Sequence, residues 1–124
     1  MNERYEDSKV SFSVELLEGD VLTSAFRGSG STRGTDQYLA WVEEAIAIVG
    51  AGRLKVLMDL REQKSVPLRT QMKMGAWLMG AQTTIVKVAI VGGTKAARLV
   101  AKGAKVSIQF FEDPEEALSW LSQP

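Results

Sequence analysis

The sequence predicts an α/β protein with a single domain, and three observations predict it. The chain has 124 residues, which is the usual size of one domain. Apolar residues make up 45% of the chain and charged residues 24%, a globular composition that excludes disordered, collagen-like and coiled-coil proteins. Short apolar runs alternate with segments of helical periodicity in the order β-β-α-β-α-β-α-β-α. Helices between successive strands require parallel pairing through right-handed crossovers.

The N-terminal part predicts a polar end followed by an antiparallel hairpin. Residues 1–9 are polar and are expected to be flexible, so the domain is placed at 10–122. Residues 10–17 alternate between apolar and polar side chains, as a half-buried strand does. Residues 21–26 alternate again after a tight turn at 18–20, which predicts the second strand of the hairpin.

The middle of the chain predicts two strand–helix units. A loop rich in Gly, Ser and Thr, 27–36, leads to a helix that starts at Thr35 or Asp36 and ends near Val49. Residues 54–60 are almost wholly apolar, as a strand buried on both faces is, with Asp59 near its carboxyl end. A polar loop follows, and a helix with Pro67 in its first turn runs to about Gly80. The apolar stripe of this helix is expected to comprise Leu68, Met72, Gly75, Ala76 and Met79.

The C-terminal part predicts two further units. Residues 85–91 form a strand, 94–102 a helix and 105–110 the last strand. The last helix has a clear start, because Asp113 can cap it, Pro114 suits the first helical position and Glu116 follows at the third.

Composition also excludes several classes of function. The chain has no Cys and no His, which excludes disulfides, thiolate chemistry, imidazole catalysis and nearly all structural zinc sites, and no cofactor is predicted. Fifteen basic and fifteen acidic residues give a net charge of zero, so no global charge favours nucleic acid or an anionic membrane. No stretch approaches the roughly 18–20 apolar residues of a membrane span, and the polar N terminus does not suit a secretion signal. We therefore expect a cytoplasmic protein with no integral membrane association.

The tail of the chain carries the most specific pattern, F-x-D-P-E-E-A-L-x-W-L. It is formed by Phe111, Asp113, Glu116, Ala117, Leu118, Trp120 and Leu121. Together with the hairpin, the strand–helix units and Asp59, this tail resembles the SpoIIAA-like group, bacterial relatives of the STAS anti-anti-sigma-factor domains, over about residues 10–122. The resemblance implies a sheet wound as a shallow β-α superhelix and a regulatory or binding role without catalysis.

The loop after Asp59 departs from that group. Anti-anti-sigma factors carry an Asp-Ser-Ser-Gly run there, whose serine is phosphorylated, and this chain has no such run. Ser65 is the only hydroxyl residue of the loop. It is expected to cap the next helix, with phosphorylation as the alternative. The phosphorylation switch is therefore not carried over to this chain.

The Gly-rich loop offers a nucleotide-binding hypothesis. Gly28, Gly30 and Gly34 follow a strand and precede a helix, and Asp59 ends the next strand. This is the context of a dinucleotide site, where glycines admit a pyrophosphate and an acidic residue holds a ribose. The spacing G-x-G-x-x-x-G differs from the usual one, and the preceding strand contains Thr23 and Ser24. A loop without a ligand is the simpler interpretation.

Charge is unevenly distributed along the chain. Residues 63–111 contain eight basic and no acidic side chains. Lys95, Arg98 and Lys102 are spaced to share one face of the third helix, opposite Leu99 and Val100. This face is either simply solvated or a site for an anionic group, which could be an acidic protein partner or a lipid headgroup.

The second helix is apolar on nearly all sides. Met72, Met74, Trp77, Leu78 and Met79 exceed what one buried stripe needs. Besides core packing, they could form a self-association surface, giving a homodimer, or the wall of a pocket for a small apolar or lipid-like ligand.

One polar cluster follows the first buried strand. Asp59 and Glu62 could act as a carboxylate pair, but Arg61 and Lys64 beside them favour internal ion pairs over catalysis. The sequence therefore predicts a binding module without enzymatic activity. It binds a protein partner or itself, with an apolar ligand in a pocket against helix 67–80, or a nucleotide at 28–34, as alternatives.

Overall fold

The computed structural model describes residues 1–124 as a six-stranded sheet with four helices. The strands lie in the order of the chain, with β1, β2 and β3 antiparallel and β3 to β6 parallel. The elements are β1 (Asn2–Glu6), β2 (Val10–Leu17), β3 (Val21–Ser29), α1 (Thr32–Val49), β4 (Leu54–Ser65), α2 (Leu68–Gly80), β5 (Ile85–Gly92), α3 (Lys95–Lys102), β6 (Ser107–Phe111) and α4 (Pro114–Ser122). The predicted α/β class and the alternation from β2 onward are confirmed. None of the helices is long and apolar enough to cross a membrane.

The two faces of the sheet are covered by different helices. Helices α1, α2 and α3 cover one face of the sheet. The parallel strands β3 to β6 lie side by side in chain order, and right-handed crossovers between strands in such an order all place their helices on the same face. Helix α4 follows the last strand and covers the opposite face. In β4, Met58 and Leu60 point to the helices α1–α3, and Leu57 points to α4. We call these the α1–α3 face and the α4 face.

The prediction of a flexible end at residues 1–9, outside the domain, is wrong. Residues Asn2–Glu6 instead pair with β2 and form one edge of the sheet. The strand has no apolar alternation, because it lies beyond the core and most of its side chains are exposed. Tyr5 anchors it by stacking on Phe12, with 5.2 Å between the ring centroids.

Two strands are longer than predicted, which shortens the loops. Strand β3 continues to Ser29 and β4 to Ser65, so most of the predicted loops at 27–36 and 61–65 is extended or helical. These ends carry polar side chains that pair across the strands. Arg27 bonds Glu62 at 2.9 Å, and the Ser65 hydroxyl donates to Ser29 Oγ at 2.8 Å. Ladder pairing therefore extends both strands beyond the apolar core.

The helix starts differ from prediction at two of four places. Helix α1 is capped by Ser31, not by Thr35 or Asp36, and Ser31 Oγ accepts from the Gly34 amide at 3.0 Å. Helix α2 is preceded by Pro67 with no side-chain cap, so Ser65 is not its cap. Helices α3 and α4 begin as predicted, and the Asp113 carboxylate accepts from the Glu115 amide at 3.0 Å.

Candidate functional site

A cavity of about 80 Å³ lies between the α1–α3 face of the sheet and the three helices that cover it. Fourteen of its 21 lining residues are hydrophobic, and none is charged. An engineered apolar cavity of about 150 Å³ holds benzene, so this volume suits a molecule of a few heavy atoms. The apolar wall includes Phe12, Met58 and Ile90 from the sheet, Met74 and Leu78 from α2, and Val100 from α3.

Three polar atoms in this wall have no hydrogen-bond partner. They are Tyr38 Oη, Gln63 Oε1 and Thr70 Oγ1, and no other buried side-chain oxygen or nitrogen of the protein lacks a partner. Buried polar atoms are nearly always paired, so these three atoms are the expected partners of water or of a polar group of a ligand. Burial disfavours the phenolate and raises the pKa of Tyr38 from its ordinary value of 10 to about 12, so this hydroxyl stays protonated far above neutral pH.

The other polar side chains of the wall already have partners. The Thr35 hydroxyl donates to Ser31 O at 2.9 Å, and the Ser31 hydroxyl donates to Asp7 at 2.6 Å. The Gln71 amide donates to Val66 O at 2.7 Å. Among the polar side chains of the wall, only Tyr38, Gln63 and Thr70 therefore have an unpaired buried atom.

The pairing of β4 with β3 brings Gln63 to the cavity, and the packing of α2 brings Thr70 there. The register of β3 with β4 shifts between Ala25 and Arg27, and beyond this irregularity Gln63 lines the cavity. Thr70 lies in the first turn of α2 and is buried. A Cβ at Gly30 would come within 3.1 Å of the Thr70 side chain, so the glycine lets the start of α1 approach α2 closely.

The face of α2 that points inward is not the predicted one. Thr70, Met74 and Leu78 line the cavity at a spacing of four residues, whereas Met72 and Met79 are 66% and 64% exposed. Leu68 of the predicted stripe is also exposed, and Trp77 is half-buried against the core. The predicted pocket against helix 67–80 is present as a cavity, but two of its predicted wall residues lie on the outside.

The basic face of α3 lies on the outside of the molecule. Lys95, Arg98 and Lys102 are exposed, and the Arg98 guanidinium stacks 4.4 Å above the Phe110 ring. Leu99 was expected on the buried side but is 64% exposed. We call the exposed apolar and basic side chains of these two helices the outer α2–α3 surface, comprising Leu68, Met72, Met79, Lys95, Arg98, Leu99 and Lys102.

The residues of the nucleotide hypothesis do not converge. A Cβ at Gly28 would lie 2.4 Å from Lys9 O, and one at Gly34 would lie 2.9 Å from the Val10 side chain, so both glycines serve close packing. Gly30 and Gly34 lie beside the cavity on the α1–α3 face. Asp59 lies in a groove on the α4 face with Pro114 and Leu118. A ligand at the start of α1 would therefore have the sheet between it and Asp59.

The carboxylates of β4 are paired with arginines. Arg61 donates to both oxygens of Asp59, at 3.0 and 2.7 Å, and these bonds lower the pKa of Asp59. Glu62 pairs with Arg27 at 2.9 Å. The predicted internal ion pairs are present, although Glu62 pairs across strands, and Asp59 lies within the longer β4 and not at its end. No group of three acidic side chains is placed to hold a metal ion.

Comparison with known proteins agrees with the fold. The sequence model of the SpoIIAA-like family matches residues 21–122, and no curated protein matches. A protein of the DUF3478 family with a SpoIIAA-like fold from Shewanella loihica PV-4 is 22% identical, with a TM-score of 0.67, over 98% of this chain and 97% of that one.

Two further solved structures are anti-sigma factor antagonists. The one from Mycobacterium paratuberculosis is 14% identical, with a TM-score of 0.62, and covers 93% of this chain and 96% of its own. Unphosphorylated SpoIIAA is 12% identical, with a TM-score of 0.64, over 89% and 95% of the two chains. At these identities the structures show a shared fold, while the family match covers most of the sequence. The chain belongs to the SpoIIAA-like family.

Proposed function

We propose that this protein is a binding module that takes a small apolar molecule into the cavity under α1, α2 and α3, without catalysis. The observation that carries the proposal is the cavity itself, which is lined mainly by hydrophobic residues and by no charge. Binding sites for small molecules are typically apolar clefts with a few polar groups that orient the ligand. Two structural neighbours are anti-sigma factor antagonists, which supports a regulatory role for such binding.

The helices over the cavity support entry of a ligand. Helix α2 buries only Thr70 and Leu78 fully, and α3 buries no residue fully. Elements with few buried apolar contacts open at low free-energy cost. A shift of α2 and α3 would therefore admit a molecule larger than the volume of about 80 Å³ between them and the sheet.

Filling the cavity tests this proposal. Ala101 lines it, and Ala101→Leu should occupy part of its volume, whereas Ala96→Leu adds the same side chain to α3 outside the wall. We expect native mass spectrometry of protein purified from cells to show a bound small molecule in the original chain and in Ala96→Leu, but not in Ala101→Leu. A probe such as 1-chlorobutane at about 100 times its Kd should stabilise the first two by about 2.7 kcal/mol.

Two results would count against the cavity as a binding site. One is the absence of both a bound mass and any rise in melting temperature with 1-chlorobutane. The other is equal stabilisation of Ala101→Leu and of the original chain, which would place the probe elsewhere.

A second candidate function rests on the outer α2–α3 surface, where we propose that an acidic protein partner docks. Leu68, Met72, Met79 and Leu99 are all at least 64% exposed. The charged side chains of α2 and α3 are all basic, and of these Lys73 is paired with Asp36 of α1. A second copy of the chain docked by this surface would bring like charges together, which favours an acidic partner. The homodimer stays a prediction, and light scattering would detect it.

Charge reversal tests the acidic partner. Lys95→Glu with Lys102→Glu changes the charge of α3 and leaves Arg98 on Phe110 in place, and Arg4→Glu with Lys9→Glu makes the same change near β1. Binding of an acidic amphipathic peptide should fall at least tenfold in the α3 variant and little in the other, because close charge pairs across an interface contribute about 1.5 kcal/mol or more. Equal affinity in both variants would exclude this surface.

A further inference from the structure

We infer that the ligand of the cavity is a neutral amphiphile, with an apolar body of about four carbons and one hydroxyl or amide group that pairs with Gln63 and with the hydroxyl of Thr70 or Tyr38. This inference rests on the proposed function and names the chemical class of its ligand.

The neutrality of the ligand follows from the composition of the wall. None of the 21 lining residues is charged. A carboxylate or ammonium group in this cavity would lose its hydration and meet no opposite charge, which is strongly unfavourable. Fatty acid anions and amines are therefore excluded as ionised ligands, whereas alcohols and amides are not.

The hydrogen-bonding group follows from the three unpaired atoms. Gln63 Oε1 can only accept a hydrogen bond, while the Thr70 and Tyr38 hydroxyls can donate or accept one. An alcohol or a primary amide offers both a donor and acceptors. The three atoms are enclosed in the empty protein, so such a group pairs with Gln63 and with a hydroxyl of the wall once α2 has shifted to admit the ligand. A hydrocarbon would leave all three atoms unpaired.

The volume of about 80 Å³, roughly half that of the benzene-binding cavity used for comparison above, sets a lower limit on the size of the ligand. A body of about four carbons with one polar group has nearly as many heavy atoms as benzene, so it enters together with the shift of α2 and α3 described above. Two or three water molecules would fit in this volume, since each occupies about 30 Å³ in the liquid. An experiment must therefore separate a ligand from bound water.

Removing one unpaired hydroxyl separates recognition from packing. In the full chain, Thr70→Val keeps the shape of the side chain and deletes Oγ1. Because this atom has no partner in the empty protein, the melting temperature should stay the same or rise. The affinity for 1-butanol or butanamide should fall roughly tenfold relative to the affinity for 1-chlorobutane, since one hydrogen bond to the ligand is lost. Butanoate at neutral pH should not bind.

Thr35→Val is the matched control on the same wall. Its hydroxyl already donates to Ser31 O, so this change should lower the melting temperature and leave the ratio of butanol to chlorobutane affinities unchanged. Gln63→Leu provides a second test of the polar group if Thr70→Val does not fold. A residue that recognises the ligand is thus identified by a lower ratio of butanol to chlorobutane affinity without a lower melting temperature.

The outcomes distinguish this inference from the proposed function. If 1-chlorobutane binds but the affinity ratio is the same in Thr70→Val, Gln63→Leu and the original chain, the neutral amphiphile is wrong and the apolar cavity stands. If no probe binds, both proposals fall. A crystal structure grown in 1-butanol that shows only water on the three atoms would also overturn the inference, and butanol oxygen within hydrogen-bond distance of Gln63 or Thr70 would support it.

Discussion

Asp7 links three parts of the chain through a single side chain. Its carboxylate accepts hydrogen bonds from the Tyr5 hydroxyl at 2.8 Å, the Ser31 hydroxyl at 2.6 Å and the amides of Lys9 and Val10 at 2.7 and 2.9 Å. Ser31 in turn caps α1. Asp7 therefore joins β1, the start of β2 and the start of α1.

These bonds make the stability of the protein depend on pH. The Ser31 hydroxyl, helped by the two amides and the Tyr5 hydroxyl, lowers the pKa of Asp7 from its ordinary value of 3.8. A depressed pKa in the folded state stabilises the protein above the unfolded value, and this stabilisation is lost as the pH falls below about 4. Asp7→Asn should lower the free energy of unfolding at pH 6 by about 1 kcal/mol, since the site is partly solvated.

Urea unfolding at pH 6 and at pH 3 measures this effect. The difference between the original chain and Asp7→Asn should shrink at the lower pH. Asp20→Asn is the matched control, because the Asp20 carboxylate takes part in no hydrogen bond or ion pair and the turn at φ 63° tolerates asparagine. A difference for Asp7→Asn that is constant across this pH range would show that the carboxylate charge has no part in holding α1.

At the scale of elements, the strands and helices with a periodic pattern of apolar side chains could be predicted from the sequence. The strand segments made of polar residues could not. The five strands from β2 to β6 and the four helices were all expected, because apolar periodicity is the main sequence evidence for both. Strand β1 and the ends of β3 and β4 consist largely of polar side chains. Their ladder partners lie in neighbouring strands, and that information is not in the local sequence.

The candidate site was predicted in part, for a similar reason. Helix α2 carries apolar side chains on nearly all sides, so counting them indicated the face with Met72 and Met79. The inward face includes the polar Thr70, and only its spacing of four residues from Met74 and from Leu78 marks it in the sequence. Gln63 could not be assigned, because the shift in register between β3 and β4 that precedes it depends on long-range pairing.

At the scale of the whole molecule, both proposed binding sites involve the same two helices. The inner sides of α2 and α3 line the cavity, and their outer sides form the outer α2–α3 surface. Helix α4 covers the opposite face of the sheet and lines neither site. Both proposed sites therefore lie on the same face of the sheet, and α2 and α3 separate a ligand in the cavity from solvent.

Methionine methyl groups test binding inside the cavity most directly. The chain has five methionines, of which Met58 and Met74 line the cavity and Met72 and Met79 are exposed on α2. In the NMR spectrum of protein labelled with carbon-13 at the methionine methyl groups, added 1-butanol should shift the signals of Met58 and Met74 and leave those of Met72 and Met79 in place. Shifts confined to Met72 and Met79, or no shifts at saturating probe, would contradict a ligand under the helices.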